Sequence, residues 1–178
     1  VLVYDILHKK WKGSVWIMGS CRTLLWLVAG TAGDNAGIEL NTVIISTILG
    51  LYVAGISLYA RGEAKPNTDD KNLLPVILLF LPCLLGLYRV FDLQLFEPEI
   101  LFPGLFGMFF MGWHVSRAVQ IIRNRKIPGG IGAGVSLLLA SICALDGLAL
   151  CFHHPPFAPY CYLFFLISLI LQKKFAAT

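Results

Sequence analysis

Residues 38–63 read IELNTVIISTILGLYVAGISLYARGE, and this stretch decides the class of fold. Between Leu40 and Ala60 the chain carries no charged residue. A helix needs about 20 apolar residues to cross a hydrocarbon core of about 30 Å, because each residue rises about 1.5 Å. The stretch is therefore predicted to span a membrane. It ends in Arg61, Gly62 and Glu63, so a carboxylate at its end is either simply in water or part of a polar site.

The rest of the chain has the same apolar character. Of its 178 residues, 57% are hydrophobic and 13% are charged, whereas soluble domains are about 45–50% apolar and about 25% charged. The apolar residues form six blocks, of which the last is short: 14–32, 38–60, 73–91, 98–122, 131–151 and 157–171. We therefore predict an all-α fold, a polytopic transmembrane helical bundle with five to six spans that forms a single domain over residues 1–178.

The charged residues between the blocks predict the orientation. Lys and Arg lie before the first block and after the second, fourth and sixth, while the intervening loops have none. Since cytoplasmic loops are enriched in Lys and Arg, residues 1–13 and 61–72 are predicted to be cytoplasmic. The protein is then integral and multi-pass, in the inner membrane if it is bacterial. Topology accounts for the net charge of +4. Without a basic face with interleaved aromatic residues, no nucleic-acid partner is predicted.

Some charges lie inside the apolar blocks, where they are costly unless they have a partner or face water. Arg22 is about eight residues into the first block, about 12 Å from its cytoplasmic end. It is predicted to be either a structural residue between helices or a cation at the floor of a cytoplasm-facing cavity. Arg89 and Asp146 are predicted to pair if the third and fifth helices touch. Arg117 is predicted to extend to the phospholipid head groups.

Two cytoplasmic stretches combine cations with carboxylates. The first is YDILHKKW at residues 4–11, in which helical spacing places three polar residues on one face: Asp5, His8 and Lys9. The second is YARGEAK at residues 59–65, which contains Tyr59, Arg61 and Glu63. Together they could hold an anion and a divalent metal, because Mg²⁺ prefers carboxylate oxygens, water and substrate phosphates. A solvated loop with both signs of charge would have the same composition.

These stretches resemble the UbiA superfamily of intramembrane prenyltransferases. YDILHKKWKGSVWIMGSCR, residues 4–22, is similar to the family's Tyr followed by a basic pair and a helix with a small residue. LYVAGISLYARGE, residues 51–63, is similar to the helix and loop of the family's second acidic motif, where Tyr-Ala precedes the first of two or three Asp. With the loop polarity, the resemblance covers essentially the whole chain, although each motif is short.

The resemblance implies a helical bundle around a cavity that opens to the cytoplasm. In the family, Mg²⁺ held by two acidic motifs binds an isoprenoid diphosphate, which ionises and gives its prenyl group to a lipophilic acceptor, often an aromatic ring. The resemblance also implies that this chain is the C-terminal part of a larger bundle. The first acidic motif would then precede Val1. The resemblance does not specify the acceptor, the prenyl length or the oligomeric state.

Site residues are carried over position by position. The resemblance implies that Glu63 is a catalytic carboxylate on the metal, joined by Asp69 if the loop bends back. Lys9 or His8 would contact the diphosphate, Lys9 with a catalytic role, and Tyr59 would form a wall of the site. The remaining candidates for substrate binding are Arg61, which has no counterpart in the common pattern, Arg22 and Asp5.

The second acidic motif departs from the family pattern. Ile56, Pro66 and Asn67 stand where the family has Asp. The departures keep two alternatives open, a non-catalytic membrane transporter or lipid-handling protein with the same bundle, and a structural membrane subunit in which polar residues only join helices.

Overall fold

The computed structural model describes residues 11, 13–32, 39–62, 73–92, 98–124, 129–151 and 155–174. In these ranges the chain forms six α-helices and no strand. They are α1 (Ser14–Thr31), α2 (Leu40–Gly62), α3 (Leu74–Asp92), α4 (Pro98–Arg123), α5 (Gly130–Cys151) and α6 (Ala158–Lys174), with a 3-10 turn at Pro155–Phe157. Each helix coincides closely with one apolar block, so the prediction of an all-α fold is confirmed.

Two of the described helices are long and apolar enough to cross a membrane. They are Leu40–Arg61 and Gly130–Cys151, each 22 residues long. The apolar segments of α3 and α6 are shorter, at Leu74–Val90 and Ala158–Gln172. Helix α1 includes Arg22, a charge that lowers its hydropathy. The two long helices are compatible with a membrane protein, but they do not establish the five to six spans predicted from the sequence.

The first compact unit, Val1–Leu81, contains the antiparallel pair α1 and α2. The two backbones approach each other at glycines. A Cβ atom placed on Gly19 would lie 2.7 Å from the carbonyl oxygen of Gly50, and one on Gly50 would lie 2.6 Å from that of Gly19. Further along the pair, a Cβ on Gly30 would lie 2.7 Å from Cγ2 of Thr42. Small residues are what allow helices to approach this closely.

The second compact unit, Pro82–Thr178, has α5 packed against both α4 and α6. Gly134 of α5 lies over α4, since a Cβ on it would be 2.9 Å from the carbonyl oxygen of Ala118. On the other side, the ring of Phe165 in α6 is fully buried against Ala140 and Ala144 of α5. Small residues on α5 thus accommodate larger side chains from both neighbours.

Helix α3 contains Pro82, and the boundary between the two units falls directly before it. Proline has no amide hydrogen, so the helix lacks one of its internal hydrogen bonds there. Four residues later, a Cβ on Gly86 would lie 2.8 Å from the sulfur of Met108 in α4 and 3.5 Å from a methyl carbon of Leu148 in α5. Helices α3 and α5 therefore touch, which was the condition for the predicted pairing.

Arg89 follows Gly86 by one turn and is buried, with 7% of its surface exposed. Asp146 is partly buried on α5, two residues before Leu148. Their ion pair stays a prediction.

Candidate functional site

The described part of the chain contains three of the predicted site residues, namely Arg22, Tyr59 and Arg61. Five others lie outside the described residues: Asp5, His8, Lys9, Glu63 and Asp69. The roles assigned to those five stay predictions.

Arg61, in the last turn of α2, ties the end of that helix to the beginning of α1. Its Nη2 atom donates a hydrogen bond to Oγ of Ser14 and another, of 3.2 Å, to the carbonyl oxygen of Trp11. Ser14 is fully buried. Hydrogen bonds from a guanidinium are charge-assisted and stronger than neutral ones. Arg61 thus links residues 47 and 50 positions away in the chain.

The same contacts join one described residue from each of the two stretches that were singled out in the sequence. Trp11 is the last residue of YDILHKKW, and Arg61 is the third residue of YARGEAK. Since Arg61 is bonded to Trp11, these two residues meet at one end of the α1–α2 pair, and the other residues of YDILHKKW lie outside the described ranges. Sequence reasoning expected both stretches on the same side of a membrane and had no signal for the contact between Trp11 and Arg61.

Tyr59 and Arg22 lie at different depths in the same unit. Tyr59 is partly buried, and its hydroxyl oxygen is shielded from solvent. Arg22 is also partly buried, with its Nε shielded. It lies about 12 Å further along α1 than Ser14, by the rise of the helix. The structure therefore brings Tyr59 and Arg61 to one end of the pair and places Arg22 near its middle.

In the second unit, aromatic rings of α4 and α6 pack around His114, and sequence reasoning did not predict this contact between the two helices. His114 of α4 stands edge-on to Phe110 and Phe165, with ring centroids 4.5 and 4.8 Å apart. Its Nδ1 atom is buried without a hydrogen-bond partner among the described residues. Phe106 stacks on Phe110 at 5.6 Å. The available signal was the four-residue spacing of residues 106, 110 and 114, and the cluster joins α4 to α6.

Within the described ranges, no group of three or more His, Cys, Asp or Glu side chains is arranged to hold a metal ion. Glu63 and Asp69, the carboxylates predicted to bind Mg²⁺, lie outside those ranges. Their oxygens are of the type that Mg²⁺ prefers. The magnesium site is supported only by the chemical type of these oxygens and stays a prediction.

Comparison with known proteins identifies no relative of this chain. No family model matches it, and neither a curated protein nor a solved structure does. The resemblance to the UbiA superfamily therefore rests on the sequence motifs alone.

Proposed function

We propose that the chain is part of a UbiA-like prenyltransferase, which moves a prenyl group from an isoprenoid diphosphate to a lipophilic acceptor. The observation that carries the proposal is the contact of Arg61 with Trp11 and Ser14. It joins one residue from each of the two stretches in which the resemblance places diphosphate-binding and metal-binding residues. A catalytic site needs those groups close together, and a pair of unrelated solvated loops would not need this contact.

Five or six membrane crossings are part of the proposal. Helices other than α2 and α5 also expose large apolar side chains, which favours lipid as their surroundings. Val28 on α1 is 66% exposed, Phe109 on α4 is 72% exposed and Ile170 on α6 is 65% exposed. With the alternation of basic loops, these surfaces support a multi-pass protein whose segment 61–72 is cytoplasmic.

The proposed reactive residues are close in sequence to Trp11 and Arg61, which are in contact, and this favours a common site for them. Lys9 precedes Trp11 by two residues and Glu63 follows Arg61 by two, and two residues of extended chain span at most about 7 Å. We propose that Lys9 and His8 contact the diphosphate and that Glu63 and Asp69 hold Mg²⁺. The metal would supply positive charge to the departing diphosphate.

The proposed reaction breaks the allylic C–O bond, and the electron pair leaves with the diphosphate. The allylic cation then forms a bond to a nucleophilic atom of the acceptor, which loses a proton. Lys9 stabilises the charge on the leaving group. The ring of Tyr59 shields the cation from water. Because Arg61 is bonded to Ser14 and Trp11, we propose it as a positioning residue for the segment that precedes α1.

The test is release of pyrophosphate from farnesyl or geranylgeranyl diphosphate by the purified complete protein with Mg²⁺ and a lipid acceptor extract. Glu63→Gln is expected to abolish Mg²⁺-dependent release. The matched control is Glu39→Gln, because Glu39 is exposed and directly precedes the opposite end of α2. Normal turnover by Glu63→Gln would exclude that residue from the site. If the unmodified protein releases no pyrophosphate, the proposed prenyltransferase activity is wrong.

A second candidate is a non-catalytic transporter or lipid-handling protein. It is favoured by the loss of carboxylates at Ile56, Pro66 and Asn67 and by the engagement of Arg61 with the chain's own Ser14. In the same experiment this protein would bind the isoprenoid diphosphate and release no pyrophosphate. A structural subunit would not bind the diphosphate at all.

A further inference from the structure

One face of α4 carries four large aromatic side chains that are exposed. Phe102, Phe106, Phe109 and Trp113 are 70%, 56%, 72% and 60% exposed. Their spacing of four, three and four residues places them on one side of the helix. The opposite side of α4 is fully buried at Met111, Val115 and Ala118. Most of the aromatic face therefore points away from the packing of the second unit, while Phe106 at its edge also contacts Tyr162 of α6, with ring centroids 5.8 Å apart.

A cation lies at the end of this aromatic face. Arg117 follows Trp113 by four residues, so the two side chains are neighbours on the helix surface. Arg117 and Gln120 are both exposed. Together they offer guanidinium and amide N–H groups, which are donors suited to a phosphate. Beyond them, the chain adds Arg123, Arg125 and Lys126.

The length of the face corresponds to one leaflet of a bilayer. Phe102 and Trp113 are eleven residues apart, about 16 Å along the helix. Half of a hydrocarbon core is about 15 Å. Trp prefers the boundary between hydrocarbon and head groups, and a long Arg side chain extends from there to the phosphates. The face has apolar surface at acyl-chain depth and a cation at head-group depth.

The residues on this face differ from those at the helix contacts of this protein. Helices α1 and α2 meet at Gly19 and Gly50, and α5 meets α4 at Gly134. Such small residues are typical of helix contacts in membranes. The face has bulky rings instead. At Gly112, beside Trp113, an added Cβ would have no atom within 4 Å. This open space next to the rings suits a flexible acyl chain.

We propose that the face from Phe102 to Arg117 binds an anionic phospholipid of the cytoplasmic leaflet. Arg117 and Gln120 contact its phosphate, and the four aromatic rings contact its acyl chains. The positive charge of Arg117 selects against head groups with their own ammonium, since a like charge would be brought close to it. The proposal rests on the membrane insertion proposed above and is independent of prenyl transfer.

The test compares binding of phosphatidylglycerol and phosphatidylcholine to the purified complete protein by native mass spectrometry. The unmodified protein is expected to prefer phosphatidylglycerol. Arg117→Gln should weaken phosphatidylglycerol binding about fivefold, the effect of one basic residue near an anionic surface. Its binding of phosphatidylcholine should not change. Trp113→Ala should weaken binding of both lipids, because it removes contact with the acyl chains.

The matched control is Arg123→Gln, which removes the same charge about 9 Å further along α4. It should change phosphatidylglycerol binding less than twofold. Equal losses in Arg117→Gln and Arg123→Gln would show a general attraction to net charge and would overturn the site. No lipid preference in the unmodified protein, or no effect of Trp113→Ala, would also overturn it. Pyrophosphate release is measured separately, so failure of this site leaves the proposed enzyme intact.

Discussion

At the residue scale, Arg61 shows that the role of a charged side chain depends on a partner far along the chain. The sequence places Arg61 at the end of an apolar helix, next to Tyr59 and Glu63, and that placement is confirmed for the two described residues. Its bonds to Ser14 and Trp11 could not be predicted. They depend on how α1 and α2 pair, and the hydropathy of either helix contains no information about its partner.

We expect Arg61→Gln and Ser14→Ala each to lower the free energy of unfolding by about 1.5–3 kcal/mol, the range for hydrogen bonds to charged groups. The loss in the double variant should be smaller than the sum of the two, because both substitutions remove the bond between Arg61 and Ser14, while only Arg61→Gln also removes the bond to Trp11. A denaturant titration of the protein in detergent measures the cycle.

The matched control for this cycle is Ser20→Ala. Ser20 is exposed, and its hydroxyl donates only within its own helix, 2.8 Å to the carbonyl oxygen of Trp16. This substitution should be nearly neutral. Fully additive losses for Arg61→Gln and Ser14→Ala would contradict a hydrogen bond between the two residues and favour independent roles for them.

At the element scale, the ends of the helices could be predicted and the contacts between them could not. Apolar runs bounded by charge and by Gly or Pro gave all six helices close to their observed limits. Which helices pair is decided by a few small residues, such as Gly19, Gly50 and Gly134. Gly19 and Gly50 are more than thirty residues apart in the sequence and share no pattern that would associate them.

We expect Gly50→Ala to destabilise the α1–α2 pair by about 1–3 kcal/mol, the usual cost of overpacking. Its new methyl group would collide with Oγ1 of Thr23 and the carbonyl oxygen of Gly19. The matched control is Gly132→Ala in α5, where an added Cβ has no neighbour within 4 Å. Alanine is the better helix former, so the control should be neutral or stabilised by up to about 1 kcal/mol. Thermal unfolding in detergent compares both, and equal stability of the two variants would mean that α1 and α2 do not approach at Gly50.

At the scale of the whole molecule, loop charges predict which side of the membrane each connection faces. The helices themselves contain no such information. Among the described residues, only α2 and α5 are both long and apolar enough to qualify as spans by composition. The number of crossings between residues 62 and 130 is therefore the main topological question. It decides whether α3 and α4 cross the membrane or lie along it.

Single cysteines at three positions answer this question: Asn67, Glu97 and Lys126. In a variant whose own five cysteines are replaced by serine, Glu97→Cys should react with an impermeant maleimide added to intact cells. Asn67→Cys and Lys126→Cys should react only after the membrane is opened, because their loops are basic. The cysteine-free parent is the control for background labelling. Reaction of all three from one side would show that neither α3 nor α4 crosses the membrane.

The close approach of α1 and α2 also has a consequence for biosynthesis. The described contacts of this pair lie between Trp11 and Arg61. Both helices of the pair therefore leave the ribosome before α3 does. Segments that are synthesised earlier can assemble before those that follow them during translation. We therefore expect the pair to enter the bilayer as a preassembled hairpin on which later helices dock. An error at Gly19 or Gly50 would reduce the quantity of protein that escapes quality control, while the surviving molecules would keep their chemistry.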